Sequence, residues 1–414
     1  MDFFDCISLI KAQSLIDDNL PETAVGVEEV ELTQALGRIA ADDIAAGGDL
    51  PPFSRSTVDG YAVLSRDTFG AGEGVPVMLD IIGEVFMGQT AEQGIVSGQA
   101  VIIPTGGMLP AGADAVVMLE HTECSDSETL LVLKPVAPGE NIVTKGEDIK
   151  TGAVFITAGT KLTPAEIGAL AACGVAKVKV RQRLKVGIIS TGDEVVDVTA
   201  VPVGGQVRDV NSYTLAAMLT EAGCQVTCYG IIKDNYNELL EAIGKAVDKN
   251  QLILASGGSS VGARDHTVRV IEELGRQKVV FHGLAVRPGK PTIFGMVGTV
   301  PVFGLPGHPV AAMTICQTMV LPVVKKLQGV ARRRAGYNTV PARLTRNCAS
   351  APGRDDFLRV KLIWREGEYQ AEPVLGKSGL ITVMTQADGV VRVPEGSSGL
   401  YAGDVVLVEV MREA

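Results

Sequence analysis

The sequence predicts an α/β multidomain protein: a doubly wound α/β domain, a β-rich domain, an elongated helical linker domain and a small C-terminal β-barrel. Three observations carry the α/β, β-rich and barrel domains. Between 185 and 274, apolar β-branched runs alternate with amphipathic helical stretches. Between 51 and 139, short β runs are separated by turns. From 336 to 414, apolar and polar residues alternate between glycines. A chain of 414 residues is also too long for one ordinary core. The boundaries expected are 1–50 with 140–180 for the linker domain, 51–139 for the β-rich domain, 181–330 for the α/β domain and 331–414 for the barrel.

Taken in order, Leu9, Ile10, Leu15, Ile16 and Leu20 recur at helical spacing, and Val30–Ala41 reads as a second helix. Gly47-Gly-Asp-Leu-Pro-Pro52 is a break. Val77–Ile82, Gln99–Ile103, Ala115–Leu119 and Leu130–Leu133 read as strands. Thr163-Pro164-Ala-Glu166 starts a helix with a threonine cap, proline at the first position and glutamate at the third. Strand Lys185–Ser190, helix Ser212–Ala222, strand Gln225–Ile232, helix Tyr236–Asp248, strand Gln251–Ala255 and helix Thr267–Leu274 then form the doubly wound unit. Further strands are expected near Val279–Val286, Thr292–Met296 and Val300–Phe303, then a helix from His308 to about Lys326. Ala331-Arg-Arg-Arg-Ala335 reads as a linker.

Composition excludes several classes. A net charge of −11 and 4% aromatic residues argue against nucleic acid and anionic membranes as partners. The acidic Met1-Asp-Phe-Phe-Asp-Cys start lacks the positive region of a signal peptide, and Pro309–Val324 is read as too short for a membrane span. A cytoplasmic protein is expected. Seven dispersed cysteines without Cys-x-x-Cys, and four dispersed histidines, give no zinc or redox signature. Cys224 and Cys228 are expected on one face of a strand as small core residues.

The chemistry gathers at strand ends. Ser256-Gly257-Gly258-Ser259-Ser260-Val-Gly262 follows an apolar strand, and such a loop either turns backbone N–H groups toward an anion or simply joins strand to helix. Asp265 beyond it reads as a helix cap, a catalyst, or both. Glu194, Asp234 and Asp265 each follow a strand, and carboxylates on one rim repel unless a cation or proton lies between them. A hard divalent ion such as Mg2+ is the natural partner, the alternative being plain solvated loop acids. Arg287-Pro-Gly-Lys290-Pro places two cations in a restricted backbone, suited to an oxyanion or to a plain surface turn. Asp59, in Ser56-Thr-Val-Asp-Gly-Tyr-Ala-Val63, reads as a turn acid bonded to its own backbone.

Seven motifs then coincide in order. Ser56-Thr-Val-Asp-Gly-Tyr-Ala-Val63, Pro104-Thr-Gly106, Lys145-Gly-Glu-Asp-Ile149, Ser190-Thr-Gly-Asp-Glu194, Ser256-Gly-Gly-Ser-Ser-Val-Gly262, Arg287-Pro-Gly-Lys-Pro291 and Leu305-Pro-Gly-His-Pro-Val310 resemble the molybdopterin molybdenumtransferase (MoeA and gephyrin E-domain) family. The resemblance spans essentially the whole chain. It implies insertion of molybdate into adenylylated molybdopterin, with Mg2+ and release of AMP, by a homodimer whose site lies between one α/β domain and the partner's β-rich domain. The α/β domain is expected to be similar to MogA, the adenylyltransferase of the preceding step. That adenylyltransferase and the recipient molybdoenzymes are the implied protein partners.

By position, the resemblance implies catalytic roles for Asp59, Asp148, Glu194, Asp234 and Asp265, with Glu194, Asp234 and Asp265 positioning Mg2+. It implies substrate contacts for Thr105, Ser190, Thr191, Gly257, Gly258, Ser260, Arg287, Lys290, Arg354 and Ser378. Four positions depart from the family's usual residues: Val143 for arginine, Arg287 for lysine, Gly107 for alanine and His308 for asparagine. They leave tungstate as an alternative to molybdate. Molybdopterin adenylylation and a non-catalytic scaffold are the rival functions; the first leaves the Asp59 segment unused, and the second predicts loss of acids that are all present.

Overall fold

The computed structural model describes residues 6–257, 261–331 and 339–411, with the side chains of 261–265 excepted. Helix α1 (Leu9–Asn19) is capped by Ser8 and buries Leu9, Ala12 and Ile16. These residues join the core of the α/β domain rather than a separate helical core. The second helix expected over 30–41 does not form. Val27–Glu31 is instead strand β1, followed by a single 3-10 turn over Leu32–Gln34. The Val-Glu-Glu-Val-Glu run alternates with period two, and Gly37 at φ +74° breaks any helix beyond it.

The β-rich domain is one six-stranded sheet of β2 (Gly60–Val63), β3 (Val77–Glu84), β4 (Gln99–Ile103), β5 (Ala115–Met118), β6 (Thr122–Cys124) and β7 (Thr129–Val132), in the order β5-β2-β4-β3-β7-β6. It carries apolar clusters built around Tyr61, Val63 and Val117 and around Ala62, Val101 and Val116, as alternation along β2 requires. Helix α2 (Pro164–Ala172) starts as expected, with Thr163 N donating to Glu166 Oε2 at 2.9 Å. Strand β8 (Lys177–Arg181) pairs antiparallel with β1, setting Lys177 and Lys179 opposite Glu31 and Glu29.

The α/β domain contains β9 (Lys185–Thr191), α3 (Asn211–Glu221), β10 (Gln225–Ile232), α4 (Tyr236–Val247), β11 (Leu252–Gly257), α5 (Val261–Gly275), β12 (Phe281–His282), β13 (Val286–Arg287), β14 (Ile293–Val297) and β15 (Val300–Leu305). Its sheet runs β10-β9-β11-β15-β14-β12, parallel through β15 and closed by an antiparallel hairpin. Helices α1 and α3 pack with the following apolar helix on one face, and α4 and α5 on the other, so the unit is doubly wound. Cys224 is buried but Cys228 is exposed, so the expected shared core face holds for the first only. Strand β10 lies at the sheet's edge, which leaves part of it open to solvent.

A helical run, α6 (Pro309–Ile315), a π turn (Cys316–Val320) and α7 (Leu321–Leu327), leaves the sheet. At 19 residues and mean hydropathy 1.4 it has the length and composition of a span, contrary to expectation. Ile315, Cys316, Met319, Val320, Val323, Val324 and Leu327 all lie in the α/β core, so its apolarity is that of a core helix. The Arg332–Arg334 part of the expected linker lies outside the described residues. Strands β16 (Thr339–Leu344), β17 (Asp355–Arg365), β18 (Glu368–Pro373), β19 (Gly389–Val393) and β20 (Val405–Val410) close into the expected small barrel, which has five strands, since β17 pairs with both β18 and β19.

Candidate functional site

Strand β9 is followed through α3 by β10 on one side and, through α4, by β11 on the other. That divergence is the switch point where open α/β sheets bind ligands. At its lip Thr191 pairs in register with Gly257. A Cβ on Gly257, at φ +142°, would sit 1.8 Å from the Thr191 carbonyl oxygen, so only glycine permits this approach. Ser190 and Thr191 are themselves buried in the strand.

On one side of this lip lies an acidic rim. Glu194 folds back over Gly192, its Oε2 lying 2.7 Å from where a Cβ on that glycine would stand. Asp234, after β10, donates its backbone N–H to Asp193 Oδ1 at 3.3 Å. Burial, then the Asp193 and Glu194 carboxylates, push the Asp234 carboxyl up, while His266 pulls it down. Its Oδ1 is buried without a hydrogen-bond partner. The structure thus brings Glu194 and Asp234 together, and adds Asp193 and His266, which the sequence analysis missed. Asp265 lies within α5, which begins at Val261, so it is not the helix cap; its side chain is outside the described residues, as are Gly258 and Ser260. Among the described residues, no three acidic, imidazole or thiol side chains converge as a ready metal cage.

On the other side lies a basic cavity of about 1030 Å³ between the α/β domain and the barrel. It forms because β13 adds parallel to the start of β17, setting Arg287 opposite Asp356. Gly257, Arg287, Lys290, Arg354 and Ser378 all line it, brought together from four separate stretches of the sequence. The Arg287–Pro288 peptide is cis. Asp356, only 2% exposed, accepts from Arg354 Nε at 2.9 Å and lies 3.6 Å from Arg287 Nη1. This buried acid, absent from the sequence-derived site, orients both cations; its signal was its place two residues after Arg354. Ser378 Oγ lies 2.8 Å from His308 Nδ1, which ties the start of α6 to the loop after β18. Arg359 also lines the cavity; burial pushes its guanidinium down to about 10, and Nη1 faces Met411 Sδ at 3.4 Å.

Asp59, Thr105 and Asp148 do not line this cavity. Asp59 is exposed on the β-rich domain, where Oδ1 accepts the Thr105 N–H at 2.7 Å, so the acid bonds across strands rather than to its own backbone. A Cβ on the next residue, Gly60, would lie 1.9 Å from the Val117 carbonyl oxygen, which explains the Asp-Gly pairing. Asp148 is exposed in a turn whose backbone bonds to Leu50. Val143, one of the departures, pairs opposite Arg55.

Comparisons with known proteins agree with this architecture. The family model for the MoeA N-terminal region (domain I and II) matches residues 7–174. That for a probable molybdopterin binding domain matches 187–326, and that for the MoeA C-terminal region (domain IV) matches 341–411. A putative molybdopterin biosynthesis protein of Methanocaldococcus jannaschii is 37% identical, covering 93% of this chain and 92% of its own. The molybdopterin molybdenumtransferase of Haemophilus influenzae is 34% identical, covering 97% and 98%. The crystal structure of a molybdopterin biosynthesis MoeA protein from Pyrococcus horikoshii OT3 superposes with a TM-score of 0.85 at 30% identity, covering 98% and 100%. With the fold, the switch-point site and these relatives in agreement, the chain belongs to the MoeA family of molybdopterin molybdenumtransferases, transferases of molybdenum cofactor biosynthesis.

Proposed function

We propose that this chain inserts molybdate into adenylylated molybdopterin, cleaving the pyrophosphate link and releasing AMP, with Mg2+ as cofactor. The observation that carries this reading is the seam at Thr191 and Gly257, where a cationic cavity adjoins an acidic rim. An incoming oxyanion needs the first, and a metal-bound pyrophosphate needs the second.

The rim fits Mg2+. Asp234 Oδ1 is buried and unpartnered, and neighbouring carboxylates that push its pKa up are tolerable beside a cation or a proton. Glu194 and Asp234 would hold the ion, joined by Asp265 as the resemblance implies. Bound there, Mg2+ would neutralise charge on the pyrophosphate. The chain's own residues supply the positioning. Asp356 holds the Arg287 and Arg354 guanidinia toward the cavity, and His308 orients the Ser378 hydroxyl for the same oxyanion. Lys290 adds a third cation to the wall. The Ser256–Gly262 loop would meet the phosphate end of the pterin.

Asp59 and Thr105, on the β-rich domain, and Asp148, in the 140–180 segment, do not line this cavity. A homodimer in which the partner's β-rich domain covers the acidic rim accounts for them, and a cytoplasmic enzyme is the setting proposed. The test is AMP release from adenylylated molybdopterin with Mg2+ and either molybdate or tungstate. Oxyanion-dependent release is expected, with the preferred anion read from the two arms. A well-folded chain that consumes ATP instead is an adenylyltransferase, and one that releases no AMP under any condition is a scaffold; either outcome overturns the proposal.

A further inference from the structure

A second basic site lies away from the cavity, where the chain crosses between domains. The linker domain enters the α/β domain through Arg181-Gln-Arg183, where β8 ends, and the chain leaves α7 toward the barrel through Gln328 to Ala331. The two crossings are stitched together: Ala331 N donates to Gly159 O at 2.9 Å, and Gly329 stands 3.4 Å, measured from its ideal Cβ position, from Arg181 Nε. Between them is a hollow of about 130 Å³ whose wall includes Arg38, Lys161, Arg181, Arg183 and Lys325. Five cations around one small hollow is the opposite of what a chain of net charge −11 would place by chance.

Of the five, Arg38 is engaged, bonding the Glu28 carboxylate and donating to the Arg181 carbonyl at 2.8 Å. The other four make no side-chain hydrogen bond or ion pair among the described residues, and Arg181 Nε is buried with no acceptor. Longer-range partners are few: Lys325 faces the half-buried Glu409, and Arg183 faces the Cys224 thiol. The C-terminus of α3, at Ala222 and Gly223, also borders the hollow. Its dipole offsets about half a charge, and Gln328 Nε2 already donates to the Ala222 carbonyl there at 3.1 Å. An excess of positive charge remains, and like charges facing one hollow repel unless an anion sits among them.

We infer that this junction hollow binds one phosphate-sized, doubly charged oxyanion, as the free ion or as the end of a small phosphomonoester. Size sets the class: the volume equals roughly four waters at about 30 Å³ each, enough for a tetrahedral oxyanion and too little for a nucleotide. Guanidinium forks from Arg181 and Arg183 suit such a group, with Lys161 as a point charge. Because Arg38, Lys161 and Arg181 come from the linker domain while Arg183 and Lys325 come from the α/β domain, the bound anion staples the two.

The experiment uses the full chain carrying Arg287→Gln and Lys290→Gln, which removes two of the cations that line the other cavity. Titration calorimetry with inorganic phosphate, and separately with glycerol 3-phosphate, is expected to give one site per chain and a rise in melting temperature. Adding Lys161→Gln and Arg183→Gln, both exposed in the parent, should weaken binding by about tenfold or more. Without phosphate, the same pair should melt no lower than the parent, because repulsion is relieved. The tighter of the two probes identifies the source of the phosphate. No binding at millimolar concentration of either probe, or binding unchanged by the Lys161 and Arg183 pair, overturns the proposal.

Discussion

The acidic rim and the basic cavity sit one strand apart on the same sheet edge, yet their charges are managed in opposite ways. The cavity's cations are anchored by an internal counter-ion: Asp356, nearly sealed from solvent, lies within reach of both Arg287 and Arg354. Among the described residues the rim's carboxylates have no such partner: Asp234 is raised by burial and by its acidic neighbours, and His266 opposes. One region is organised before any ligand arrives; the other is frustrated until a cation or proton comes. That difference teaches where stability and function part company, and it can be broken from either side.

The largest effect should follow from removing together the two guanidinia that Asp356 anchors. Arg287→Ala with Arg354→Ala leaves Asp356 buried and uncompensated, which costs about 3–5 kcal/mol. Urea unfolding would read this, with activity lost at the same time. Asp356→Asn should cost less, because the two guanidinia it releases are 64% and 35% exposed and can be rehydrated. An equal cost for the two changes would mean that the acid is an ordinary buried group and not the anchor of the pair.

A smaller effect is expected at the cavity's clasp. His308→Ala removes the bond to Ser378 Oγ and should cost about 1 kcal/mol. Its functional trace should be a raised KM for the oxyanion with kcat little changed, as for a group that positions a ligand in ground and transition states alike. A fall in kcat alone would place His308 in the chemical step.

Much of this was legible in the sequence, for reasons particular residues make plain. The β9 to α5 alternation announced itself because parallel strands buried on both faces read as apolar runs and the helices between them carry stripes. Asp59 and Thr105, 46 residues apart, were recognised separately by motif, and the sheet brought them to 2.7 Å. What stayed hidden was either strand-like alternation seen through a helical window, as at Val27–Glu31, or partnership across domains. Asp356 is an acid in an acid-rich stretch until β13 pairs with β17. The antiparallel turn at β14 and β15 was likewise invisible, since apolar strands carry no sign of direction. The junction hollow is built from Arg38, Lys161, Arg181, Arg183 and Lys325, which no local pattern connects.

The gentlest test of the comparison is also the most discriminating. Asp234→Asn keeps the shape of the rim but removes the carboxylate that its neighbours oppose. Asp234 has a folded-state pKa above its ordinary value, so the folded protein holds that proton more tightly than the unfolded chain does. Its favourable contribution is therefore complete below the unfolded pKa and is lost as pH rises through the folded pKa. Above that window the ionised side chain is a burden that asparagine does not carry. The variant should be more stable than the parent at neutral pH, by on the order of 1 kcal/mol or less, and the two should converge in acid. Turnover should move the other way, falling by about two orders of magnitude, with Mg2+ dependence blunted. Mg2+ itself should stabilise the parent and not the variant, because an ion that binds only the folded rim shifts unfolding by mass action. If Asp234→Asn instead destabilised the chain at pH 7 and Mg2+ raised both melting curves equally, the rim would be a settled hydrogen-bonded cluster, and the contrast with the cavity would not stand.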